Sequence, residues 1–455
     1  MLGVVQGFYG RPWSDEELHD QLRWMADQGC DTYVHAPKKD PWWRANWRAP
    51  MPPDRLDAEV AAARHAAELG IEWIPALSPG RPMLPNRGAP GVPRSAAARG
   101  DRAADVAAIV DRYRPFAEVG CTTFCLLLDD TWKVPTPTAA GRDHRRLIGA
   151  VRAALAEVVD DPELLVCLAT YHGIADSPYL RAVRGADTDA PGLGPRVSVF
   201  WTGRHVLSTQ IDAGDAVRYG QLAGSPRVVL FDNVGVADFS GPEPLCEPSR
   251  VYLGPYDGRD GQLRTELAGV VVNPPALPHI GRVTVRQMVG WFRDEGSSED
   301  RWRRALDDAA EDAEVPVDAL RCFAVMHHDG VATDPATAGE AERAAIADAD
   351  ACQAGLDACH LLAAARGPLA DELAPWVSVT EQYLQVALAA HRGEPLTRRW
   401  ARTLGTRRTA LGDRFVVAPG HTRIGANAVD RLALATVRTR ALRHLGLARP
   451  GAKEP

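Results

Sequence analysis

The sequence predicts an α/β chain, a (β/α)8 TIM barrel followed by a C-terminal α-helical bundle. Short apolar runs alternate with longer amphipathic segments from the first residue onward, the pattern of parallel β/α units. Eight such units fit into roughly 295 residues, a count that closes a barrel. No GxGxxG turn follows the first run, which argues against a doubly wound dinucleotide-binding sheet.

The predicted strands are Leu2 to Phe8, Thr32 to His35, Glu72 to Ala76, Thr122 to Leu128, Leu164 to Ala169, Val197 to Trp201, Val228 to Phe231 and Ala268 to Val272. Each is a short apolar run bounded by polar or Gly/Pro residues. Between the first two, Ser14 to Gln28 reads as a helix, with Ser14 able to cap it and Glu16 and Glu17 favoured at its N-terminal dipole. Asp54 to Leu69 and Asp101 to Val119 repeat the pattern, with Gly70 and Gly120 placed as C-caps. The last barrel helix is predicted at Thr284 to Asp294, and the stretch between strands five and six is the least regular. Ser78 to Gly100 is rich in Pro, Gly and Arg; it is long enough to be a lid over the barrel mouth, or else a disordered insertion. After the break at Gly296-Ser297-Ser298, helical runs at Ala338 to Arg366, Asp371 to Arg392 and Asn427 to Leu445 predict the bundle. The expected domains are therefore 1–296, the barrel, and 297–455, helical.

A chain of 455 residues with a formal charge of -7 and no basic cluster gives no electrostatic case for nucleic-acid binding. The eight cysteines are scattered without CxxC pairs, as expected of buried free thiols in a reducing compartment. Cys121 and Cys125 have no matching ligand pair at zinc spacing, and His327-His328-Asp329 reads as a turn, so no metal site is expected. Neither a membrane-spanning stretch nor a signal peptide is visible, and a cytoplasmic location is expected. No cofactor motif appears either.

The run Phe124 to Leu128 ends on two adjacent carboxylates, Asp129 and Asp130. In a regular strand neighbouring side chains point to opposite faces, but at a strand terminus both can turn toward one pocket. Two close carboxylates repel, which raises one pKa and leaves the other group ionised, a division of labour that suits glycoside hydrolysis. The plainer reading is a pair of solvated acids opening a loop before Thr131 and Trp132. Chemistry in such a barrel gathers at the C-terminal strand ends, and those ends are polar here: Gly7 to Trp13, Ala36 to Asp40, Asp129-Asp130, Thr170 to His172, Trp201 to Gly203, Asp232-Asn233 with Asp238 close behind, and Asn273-Pro274. Carboxylates, amides, an ammonium and aromatic faces at one mouth suit an uncharged, many-hydroxyl ligand such as a sugar. Each residue alone, Asn233 and Asn273 especially, could be a cap or turn former.

These residues also carry a family resemblance. Gly3 to Ser14 (GVVQGFYGRPWS), Thr32 to Asp40 (TYVHAPKKD), Ala76 to Gly80 (ALSPG), Asp129-Asp130, Ser177 to Arg181 (SPYLR), Trp201-Thr202-Gly203, Phe231-Asp232-Asn233 and Leu253 to Tyr256 (LGPY) together resemble glycoside hydrolase family 84. That family comprises β-N-acetylglucosaminidases, including protein O-GlcNAcases and bacterial enzymes once called hyaluronidases. The resemblance covers residues 1 to about 295.

The resemblance implies a retaining exo-hydrolase of terminal β-linked GlcNAc, in which the substrate's own acetamido carbonyl attacks the anomeric carbon and forms an oxazoline. It gives Asp129 the acetamido N–H and makes Asp130 the acid/base. It places Tyr171 on the acetamido group, and the Gly7 carbonyl, Lys38, Asn233, Asp238 and Asn273 on the sugar hydroxyls. Two residues depart from the family pattern: Phe231, a pocket residue, replaces a usual Trp, and Gln6 stands where Glu is common. The expected partner is a GlcNAc-bearing glycoprotein, glycopeptide or small conjugate, with the C-terminal helices as a surface for homodimerisation. Three other readings stay open: an endo-acting hyaluronidase type, a non-catalytic sugar-binding homologue, and a divalent-metal barrel using Asp129, Asp130 and Asp238 as ligands.

Overall fold

In the computed structural model, residues 1–9, 11–79, 102–129, 136–186, 192–236, 251–328 and 340–392 are described. Eight parallel strands form a closed barrel in sequence order: β1 (Leu2–Val5), β2 (Thr32–His35), β3 (Glu72–Leu77), β4 (Thr123–Leu127), β5 (Glu163–Cys167), β6 (Val197–Trp201), β7 (Val228–Asp232) and β8 (Gly269–Val272). Closure comes from pairing β8 with β1, Val271 opposite Gly3. Most strand positions are buried because the lumen covers one face and helices the other. All eight predicted strands are present, Thr32–His35 and Val197–Trp201 with the predicted bounds and the others with shifted ends. β1 stops at Val5 and not Phe8, because the Gly7 N–H turns back to the Val5 carbonyl at 2.8 Å and leaves the ladder.

The intervening helices are α1 (Asp15–Asp27), α2 (Pro53–Glu68), α3 (Arg102–Ala117), α4 (Pro137–Leu155), α5 (Pro178–Val183), α6 (Ala213–Ala223) and the single turn α7 (Leu263–Glu266). α1 starts as predicted, with a reciprocal box between Ser14 and Glu17. Among its described residues, the irregular stretch after β5 contains one helix, the six-residue α5. α8 (Pro278–Phe292) begins six residues before the predicted Thr284, since Pro278 occupies a first-turn position, where its fixed φ and missing N–H cost nothing.

By contacts the chain falls into two compact units, Met1–Asn233 with Gly258–Asn273, and Val234–Asp257 with Pro274 onward. The second holds α8, α9 (Ser298–Asp312), α10 (Val317–Met326), α11 (Glu340–Ala345), α12 (Ala349–Ala364) and α13 (Pro368–His391). The predicted run Ala338 to Arg366 is thus two helices, the second capped by Asp348, whose side chain accepts from the Ala351 N–H. The predicted Asn427 to Leu445 helix lies outside the described residues. Leu306, Leu320, Phe323, Leu373 and Leu384 lie in the apolar core of this unit. Trp302 Nε1 donates to the Leu253 carbonyl, and the Gln287 amide brackets Tyr256 N–H and the Gly254 carbonyl. No described helix is long and apolar enough to cross a membrane.

Candidate active site

The site follows from strand parity. Val5, Val34, Ala36, Ile74, Ala76, Cys125, Leu127, Leu165, Cys167, Phe200, Val229, Phe231 and Val271 form one buried cluster that fills the barrel lumen. Alternation along a strand sends every second residue to the same face. Two residues beyond the last cluster member of each strand stand Gly7, Lys38, Ser78, Asp129, Ala169, Thr202, Asn233 and Asn273. Five of these, Gly7, Lys38, Asp129, Asn233 and Asn273, are the residues to which the resemblance gives site roles; Tyr171 lies a further two along, partly buried against the same cluster.

Two hydrogen-bonded groups join these residues across the mouth. In the first, Lys38 Nζ lies 3.1 Å from Asp129 Oδ2, with both side chains almost wholly buried. The other carboxylate oxygen, Asp129 Oδ1, is buried with no hydrogen-bond partner among the described residues. In the second, Gly7 N–H donates to Asn273 Oδ1 at 3.2 Å, Asn273 Nδ2 to Asn233 Oδ1 at 2.9 Å, and Asn233 Nδ2 to the Val206 carbonyl at 2.9 Å. This chain fixes the orientation of both amides. Asp130 and Asp238 lie outside the described residues.

The Lys38 turn is built from beneath. Asp40 accepts from the Trp42 and Trp43 N–H groups, closing a turn that Arg44 ties to the Lys38 carbonyl at 3.0 Å. Behind it, Trp43 Nε1 donates to Glu59 at 2.9 Å, and Arg55 lies 2.8 Å from the same carboxylate. Burial raises the Asp40 carboxyl, reinforced by the Glu59 charge. Glu59 is also buried, yet His35 and Arg55 outweigh burial and lower it. Cys125, four residues before Asp129 in the chain, is raised well above the ordinary thiol value by burial first and the Asp129 charge second.

Phe231 occupies the lumen at the end of β7, edge-on to Phe200 at 5.2 Å and 84°. It replaces indole bulk with a smaller apolar face and carries no donor. Gln6 has the opposite parity. Its Oε1 accepts from the Tyr33 hydroxyl at 2.6 Å in the layer between barrel and helices, so this departure bears on the wall and not on the mouth. Asp232 is likewise turned away, forming a bidentate pair with Arg259 at 2.8 and 2.9 Å; both side chains are 2 % exposed. The strand-end reading missed Ser78, which strand parity alone brings to the mouth, although ALSPG is among the family-like motifs. His327, from the His-His-Asp triplet, is buried with Nε2 3.0 Å from the Thr380 hydroxyl, and Asp329 lies outside the described residues.

The profile of the β-N-acetylglucosaminidase family matches residues 2–325, well over half of the chain. The chain belongs to this family. It is the family that the strand-end motifs resemble, and the match runs past the barrel into α10. Protein O-GlcNAcases of Rattus norvegicus and Mus musculus are each 27% identical over 306 residues, covering 64% of this chain and 30% of theirs. The chain thus spans under a third of the length of these curated relatives. Among solved structures, a mutant O-GlcNAc hydrolase of Thermobaculum terrenum shares the fold, with a TM-score of 0.74 and 19% identity over 100% of this chain and 99% of that one. The expected (β/α)8 barrel followed by helices is borne out by topology and by this match.

Proposed function

We propose that this family member is a retaining exo-β-N-acetylglucosaminidase that removes terminal β-linked GlcNAc from a glycoconjugate through an oxazoline intermediate. The observation that carries the reading is the Asp129 carboxylate. One oxygen is held by Lys38, and the other is buried without a partner among the described residues. An unsatisfied buried acceptor costs about 1–3 kcal/mol, and an incoming N–H donor relieves that cost. The acetamido N–H is such a donor. As its carbonyl oxygen attacks the anomeric carbon, the nitrogen gains positive character, so a fixed negative charge there stabilises the transition state more than the ground state. The Lys38 contact holds the carboxylate in one orientation, so little reorganisation accompanies the reaction.

Asp130 protonates the departing oxygen, then takes a proton from the water that opens the oxazoline; its role is carried by the family motif. Tyr171 meets the acetamido group, while the Gly7 carbonyl, Lys38, Asn233, Asp238 and Asn273 hold the hydroxyls of a single terminal sugar over the Phe231 face. The rigid Gly7–Asn273–Asn233 chain supports the exo reading, because amides locked in one orientation select one sugar. The O-GlcNAcases among its relatives support a GlcNAc-modified protein or peptide as partner, and the buried thiols fit a cytoplasmic location.

The test is a series of aryl glycosides whose acetamido methyl carries zero to three fluorines. Fluorine weakens the carbonyl nucleophile with little change in size, so the rate should fall steeply along the series. A flat response, or a covalent sugar trapped on Asp129 by a 2-fluoro glycoside, would restore an enzyme nucleophile. Absence of turnover on every aryl N-acetylhexosaminide would leave only a sugar-binding protein.

A further inference from the structure

The segment that follows β5 is held by an uninterrupted series of hydrogen bonds from outside the mouth. The Ala169 N–H donates to the Tyr179 hydroxyl at 3.1 Å. The Thr170 carbonyl accepts from the Tyr219 hydroxyl at 2.9 Å. The Tyr171 carbonyl accepts from the Thr202 N–H at 3.1 Å, and the Gly173 N–H donates to the Gly203 carbonyl at 2.8 Å while the Gly173 carbonyl accepts from Trp201 Nε1 at 3.2 Å. Backbone–backbone and indole contacts hold the far side of Tyr171. Two tyrosine hydroxyls fix the near side.

Both hydroxyls are set rigidly. Tyr219 is fully buried and stacked on Trp201, ring centroids 5.9 Å apart at 21°. Tyr179, buried on α5, accepts from the Ala169 N–H, and its hydroxyl is hydrogen-bonded to His144 Nδ1, 2.7 Å away on α4. Burial pushes His144 down to about 4, so the ring that holds the Tyr179 hydroxyl stays neutral at ordinary pH. A hydroxyl is a more demanding anchor than an apolar contact, because it fixes the height and rotation of one peptide plane.

We propose that Tyr179, backed by His144, and Tyr219 are positioning residues that set the reach of the Tyr171 phenol toward the substrate's N-acyl group, and so govern which acyl groups the enzyme accepts. The inference rests on the function proposed above, in which Tyr171 meets the acetamido group. Neither tyrosine touches the sugar; each acts only through the backbone between Ala169 and Tyr171.

The experiment compares kcat and KM of wild type, Tyr179→Phe, Tyr219→Phe and His144→Gln on aryl glucosaminides bearing N-acetyl and N-propanoyl groups. Tyr33→Phe, which deletes an equally buried hydroxyl directed at Gln6, serves as the structural comparator. A lost hydroxyl–backbone bond should narrow the acetyl-to-propanoyl ratio of kcat/KM about fivefold in each of the two tyrosine variants, with Tyr33→Phe leaving it within about twofold. His144→Gln should move the ratio the same way as Tyr179→Phe, and it carries the test if a tyrosine variant fails to fold. An unchanged ratio in folded variants, with both substrates slowed equally, overturns the positioning role and leaves the proposed function standing. A wild type inactive on both substrates overturns the two together.

Discussion

Phe231 backs directly onto Gly7: a methyl group added at Gly7 would stand 2.8 Å from the Phe231 ring and 3.4 Å from Asn273 Oδ1. Real carbon atoms do not approach that closely. Either the ring or the β1 end must shift in Gly7→Ala, at the point where the proposed site holds a sugar. Overpacking of this kind costs about 1–3 kcal/mol. We expect a modest loss in Tm and a fall in kcat/KM of about ten- to hundredfold. Adding Phe231→Leu should restore part of the activity, which steady-state kinetics on an aryl N-acetylglucosaminide would show.

Lys38 and Asp129 should behave as a coupled pair. Lys38→Met leaves a buried carboxylate without its cation, a change that costs about 3 kcal/mol or more. In urea denaturation Lys38→Met should be clearly less stable than wild type, and Lys38→Met with Asp129→Asn should recover much of the loss. Additive losses would show that the pair is not coupled. Activity should disappear in both variants, because the proposed mechanism needs the charge as well as its orientation.

The amide chain gives a non-additive pair. Asn233→Ala and Asn273→Ala each break the same 2.9 Å bond, so the double variant should lose less than the sum of the two in kcat/KM. Asn273→Ala also removes one of the two acceptors of the Gly7 N–H, and its loss should be the larger of the two. Multiplying losses would mean that the two amides act independently on the substrate.

Stability should depend on pH through two buried histidines. Burial holds His144 and His327 at about 4, against an ordinary value of 6.5. Between those values the unfolded chain binds protons that the folded chain refuses, so stability falls as pH drops from 6.5 toward 4 and is flat with respect to these groups above that window. Each contributes on the order of 3 kcal/mol over the interval. Urea midpoints measured from pH 7 to pH 4.5 should decline, and His327→Gln should flatten part of the slope.

Much of this site was legible in the sequence because barrel chemistry concentrates at strand ends. Lys38, Asp129, Asn233 and Asn273 each stand just after an apolar run, and two of their contacts are now visible. The α8 start was missed because Pro278 looks like a loop residue until it is seen at a helix N-terminus, where it fits. The chain alone does not place the Gln6 departure. Only the register of β1 shows that its side chain belongs to the outer layer with Tyr33. The Asp232–Arg259 pair and the Tyr179–His144 contact join positions 27 and 35 residues apart with no local pattern, so nothing in the chain's periodicity could announce them.

The Gly7–Asn273 bond joins residues 266 positions apart, at the seam where β8 meets β1. It cannot exist until the last strand has docked against the first. Two of the proposed sugar contacts, Gly7 and Asn273, therefore come together only when the ring of strands is complete. During refolding, catalytic activity should return with the slowest barrel-forming phase and not with the recovery of helical signal. The enzyme would then be its own probe of closure, since no partly assembled barrel could turn over a sugar.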